Sequence, residues 1–74
     1  MFVRELDELI ARLGRITRSP RLHADQREAL NKSIKELRQI RRSGRLDQGK
    51  LFRAVSRVAA VLVDLSRDVE AGNG

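Results

Sequence analysis

The chain has 74 residues, a formal charge of +6, no cysteine and a single histidine. Disulfides are excluded, a structural zinc site lacks ligands, and the length accommodates one domain. The longest apolar run, Val58–Val63, is six residues, which falls far short of the ~20 that a spanning helix needs.

A chain this short buries only ~60% of the surface its unfolded form exposes. Without disulfide or metal, well-packed helices or a partner subunit must supply the stability. The N-terminus is charged from Arg4 onward and does not read as a secretory segment. Together with the lack of cysteine, this makes the cytoplasm the expected location.

The first helix is expected over about residues 2–18. Phe2, Leu6, Leu9, Leu13 and Ile16 step by 4, 3, 4 and 3, the spacing of a packed helical seam. Val3, Ile10 and Thr17 widen it. Arg4, Glu8, Arg12 and Arg15 take the opposite face, where i,i+4 pairs compensate much of the charge. Gly14 is its weak point, costing up to ~1 kcal/mol relative to alanine.

The second helix has two candidate starts. Ser19-Pro20 offers an N-cap followed by proline at the first helical position, and His23–Gln26 offers another. Pro20 disfavours helix at Ser19, so a break is expected here. The helix runs to about Ser43, where Gly44 suits the left-handed residue of a C-terminus.

Asp47 is read as the N-cap of a third helix over residues 47–70, with Leu46 and Leu51 at the positions of a hydrophobic staple. Its core seam is read as Leu51, Val55, Val58, Leu62, Leu65 and Val69, again at 4 and 3 spacing. Phe52, Ala59, Val61 and Val63 lie outside that seam and cover most other faces. Such a helix is buried on more than one side, so these four are the candidate self-association face. Residues 71–74 are expected to form a flexible tail after a single domain of residues 1–70. Short connections favour antiparallel neighbours. The expected fold is therefore an all-α three-helix bundle, complete by itself or completed by dimerisation.

Nothing resembles catalytic machinery. Cysteine, tyrosine and tryptophan are absent, and His23 sits at a helix start. The carboxylates mostly neighbour Arg or Lys at helical spacing, and neither Ser43-Gly44-Arg45 nor Gln48-Gly49-Lys50 has the spacing of a phosphate-binding loop. Neither an enzyme nor a cofactor is expected. Both phenylalanines, Phe2 and Phe52, are read at core positions, which disfavours single-stranded nucleic acid held by base stacking.

The charge is unevenly spread. Residues 19–45 hold eight Lys or Arg against three acids, whereas residues 46–74 hold four of each. On a wheel of about 100° per residue, Leu30, Ser33, Ile34, Leu37 and Ile40 form a narrow core stripe on the second helix. Beside it Arg27, Lys35, Arg38 and Arg42 share an arc without acids, extended by Arg45. This face is read either as solubilising charge that also complements the helix C-terminus or as a surface for an acidic protein or nucleic-acid phosphates. Four phosphate contacts correspond to a salt slope near about −3.6. Arg41 falls inside the core stripe. There the core ends, or Arg41 snorkels over it, or it meets a carboxylate, with Asp64 and Asp68 of a second copy as candidates.

The leading expectation is a non-enzymatic interaction module of the adaptor, chaperone-like or inhibitor kind, self-associating through the third helix. The alternative is a small basic protein that contacts nucleic-acid phosphates through the second helix.

Overall fold

The computed structural model describes the backbone of residues 2–73 and the side chains of residues 3–67. Three helices follow in order: α1 (Phe2–Ile16), α2 (Ala24–Ser43) and α3 (Gln48–Asn73). They form the expected small all-α bundle. The expectations placed on the side chains of Phe2, Asp68 and Val69 lie outside the described residues.

α1 stops two residues before the expected boundary. The Arg18 and Ser19 amides bond to the Arg15 and Ile16 carbonyls at 3.1 and 3.0 Å, an i→i−3 tightening that closes its last turn. Thr17 Oγ1 adds a bond to the Gly14 carbonyl at 2.6 Å. Of the two candidate starts of α2 the second is used. His23 is the N-cap, with extended φ −73° and ψ 159°, and its amide donates to Gln26 Oε1 at 3.0 Å, the reciprocal half of a capping box. Gly44 closes α2 in the left-handed conformation, φ 71° and ψ 2°. Asp47 caps α3, its Oδ1 accepting from the Lys50 amide at 3.0 Å. α3 continues to Asn73, beyond the expected end at residue 70, where no proline interrupts it. Gly74 lies outside the described residues.

α2 is the centre of the molecule. It packs against both other helices, whereas among the described residues no Cα of α1 comes within 8 Å of a Cα of α3. The pairs are antiparallel. At one end of α1–α2, Arg41 reaches Asp7, and at the other Arg27 reaches the Thr17 carbonyl. The core contains Leu6 and Leu13 of α1, Leu30, Ile34, Leu37 and Ile40 of α2, and Ala54, Val58 and Val61 of α3. Leu22, in the connection, also contributes. Leu9, Ile10, Ile16, Leu51 and Leu65 pack at its margin.

The seam of α3 is displaced from the expected one. Val55 and Leu62 are each 43% exposed, while Ala54 and Val61 are buried. The inner seam is thus Leu51, Ala54, Val58, Val61 and Leu65. The physical reason lies at Ala54, whose small side chain lets α2 approach closely. Ser33, wholly buried, donates its hydroxyl to the Ala54 carbonyl at 3.1 Å. Arg57 Nη1 donates in turn to Ser33 Oγ at 3.2 Å and pairs with Glu36. Among the described residues every buried side-chain N or O has a partner.

Candidate functional site

Two surfaces stand out, one apolar and one cationic. The apolar surface lies on α3. Phe52, expected at a core position, is instead 73% exposed, because the inner seam runs through Leu51 and Ala54 one position away; Val63 is 50% exposed, and Ala59 is exposed between them. Val61, expected on the same face, is 5% exposed and belongs to the inner seam. Val55 and Leu62 take its place outside. Phe52, Val55, Ala59, Leu62 and Ser66 step by 3, 4, 3 and 4, so α3 carries a second heptad seam one residue out of phase with its buried one. Ser56 and Ala60, both exposed, border it with small side chains.

The cationic surface lies on α2 and the end of α1. Lys35, Arg38, Arg42 and Arg45 are exposed, and none is in an ion pair with a described acid. Arg27 is placed differently. It is half-buried, and its Nε and Nη2 donate to the Thr17 and Ser19 carbonyls at 3.0 and 3.2 Å. It fastens the α1–α2 connection instead of facing solvent with the others. Arg41 meets a carboxylate, but within the same chain: its Nε lies 3.0 Å from Asp7 Oδ1 across the exposed α1–α2 edge. Sequence reasoning did not reach Asp7, because a contact 34 residues away leaves no periodic signal.

A groove of about 420 Å³ runs between α1 and α2, bordered by Gly14, Thr17, Arg18, Asn31, Lys35 and Arg38, with Ile34 at its floor. Arg18 enters this group only through the reversal of the chain after α1. Gly14 lies at its edge, where a Cβ would meet nothing within 4 Å. A smaller pocket of about 190 Å³ joins Val3, Leu6 and Ile40 to Leu46 beside Arg41 and Arg45.

Among the described residues no three of His, Asp and Glu stand together as metal ligands. No described helix is long and apolar enough to cross a membrane. Compared with family models, curated proteins and solved structures, the chain matches none.

Proposed function

We propose that this chain is a non-enzymatic helical interaction module that self-associates through the outer seam of α3. The observation that carries this reading is the second heptad seam, Phe52, Val55, Ala59, Leu62 and Ser66, left uncovered by α1 and α2. An apolar seam at 3–4 spacing fits another helix, and a helix bearing two such seams has two helical neighbours. Among the described residues the backbone of α3 comes close to that of α2 and not to that of α1.

Surface area supports a second copy as the missing neighbour. The chain exposes 5717 Å², which is about 1100 Å² more than the ~4600 Å² expected of a compact 8.4 kDa monomer. A specific interface takes about 800 Å² from each partner. In an antiparallel two-fold pair centred on Ala59, Phe52 meets Ser66 of the second copy and Val55 meets Leu62. The large Phe52 then opposes a small side chain, Val55 and Leu62 pack on one another, and the small residues Ser56, Ala59 and Ala60 let the helices approach.

The absence of native cysteine makes the geometry directly testable. Ala59→Cys is expected to form an intermolecular disulfide readily, whereas Phe52→Cys, far from the axis, does not. Sedimentation equilibrium at micromolar concentration should give a dimer for the wild type and a folded monomer for Phe52→Glu/Val63→Glu. A wild type that remains monomeric overturns the proposal.

A further inference from the structure

We infer that the groove between α1 and α2, continued along the cationic stripe of α2, binds the phosphate backbone of duplex nucleic acid without reading its sequence. Arg18, Lys35 and Arg38 line the groove together with the amide of Asn31, and Arg42 and Arg45 continue the line beyond it. All five cations are exposed. None of the five is in an ion pair with a described acid. Asp7 pairs with Arg41 and Glu36 with Arg57, while Asp25 and Glu28 fall outside the arc on the helix wheel.

Spacing favours a regular polyanion. From Asn31 to Arg42 the helix rises about 17 Å at 1.5 Å per residue. One strand of a duplex places about five phosphates along that distance, at 3.4 Å each. Lys35, Arg38 and Arg42 lie within that span, and Arg18 and Arg45 flank it, so the cations meet the strand at intervals instead of one per phosphate. Arginine supplies four of the five, and its planar fork suits bidentate contact with phosphate oxygens. Gly14 borders the groove with open space at its Cβ position. Among the described residues no aromatic side chain lies on this face, so none there stacks on the bases of a single strand. Phosphate contacts of this kind position a duplex but carry no sequence information.

The test is fluorescence anisotropy of a labelled duplex of arbitrary sequence with the full chain, over a salt series from about 50 to 200 mM, the range in which phosphate contacts are most sensitive. Binding is expected to fall with salt with a slope near about −4.5 per protomer, for five contacts at about −0.9 each. Lys35→Glu/Arg38→Glu should reduce that slope by about 1.8 and the affinity by roughly tenfold or more. Arg4→Glu/Arg12→Glu makes the same change in net charge on the far side of α1, and should retain the wild-type slope. Gly14→Glu separates binding from folding: the site has room for the side chain and the helix gains propensity, yet a carboxylate enters the groove, so binding should weaken in a fully helical protein. No binding at about 50 mM salt overturns the inference. So does equal loss in the two double variants, or wild-type binding by Gly14→Glu. Displacement by poly-glutamate at lower charge concentration than by unlabelled duplex would assign the face to acidic protein instead.

Discussion

Gly14 and Gly44 make opposite demands on the same side chain. Gly44 ends α2 at φ 71°, where a Cβ collides with the following carbonyl. Gly14 lies inside α1 with open space at its Cβ position. Gly44→Ala is therefore expected to cost about 1 kcal/mol, and Gly14→Ala to gain up to about 1 kcal/mol. Urea denaturation of the two variants beside the wild type reads both signs in one experiment. Ser33 is a third special residue. Its hydroxyl serves both the Ala54 carbonyl and Arg57, and removing it takes one hydrogen bond from each. Ser33→Ala should destabilise by about 1–3 kcal/mol, measured the same way. The caps at Gly44 and Asp47 were legible in the sequence, because a cap is a local device built from one residue and its neighbours. Arg27 and Arg41 were not, because their partners, the Thr17 and Ser19 carbonyls and Asp7, are chosen by how α1 docks on α2.

At the scale of the element, α3 explains both what sequence reading achieves and where it slips. Its start, its helical character and its apolar excess follow from periodicity and capping. The choice of seam does not, because two sets of residues one position apart satisfy the same 3–4 spacing. Ala54 decides between them by admitting α2 closely, and a wheel that ranks residues by apolar bulk prefers Val55. The two seams make a matched prediction. Val58→Ala, on the inner seam, should lower stability by about 2 kcal/mol at any protein concentration, from lost burial and the cavity left behind. Val63→Ala, beside the outer seam, should have little effect at low concentration and a larger one where the protein is dimeric. Denaturation of both variants at two protein concentrations separates the faces.

For the whole molecule, the radius of gyration is 13.2 Å, against about 11.3 Å for a compact chain of this length. α3, about 39 Å long at 1.5 Å per residue, outreaches α2 at about 30 Å, and the long axis of 45 Å follows from it. If the outer seam joins two copies, folding and assembly are linked. A hundredfold rise in protein concentration should then raise Tm by roughly 5 °C, and Phe52→Glu/Val63→Glu should abolish the dependence. The bundle and its antiparallel order were readable from three periodic segments and two short connections. The groove was not, since it needs Gly14 and Arg18 of one helix set against Lys35 and Arg38 of another.

The central position of α2 also shapes how the chain reaches this fold. Every close backbone approach between helices among the described residues joins neighbours in sequence, α1 with α2 or α2 with α3. The first and third helices share the core without a close backbone approach among the described residues. Only short loops close during folding, and such local topologies cross their barrier in microseconds to milliseconds. Either hairpin can form first, but each requires α2, so the nucleus must include it.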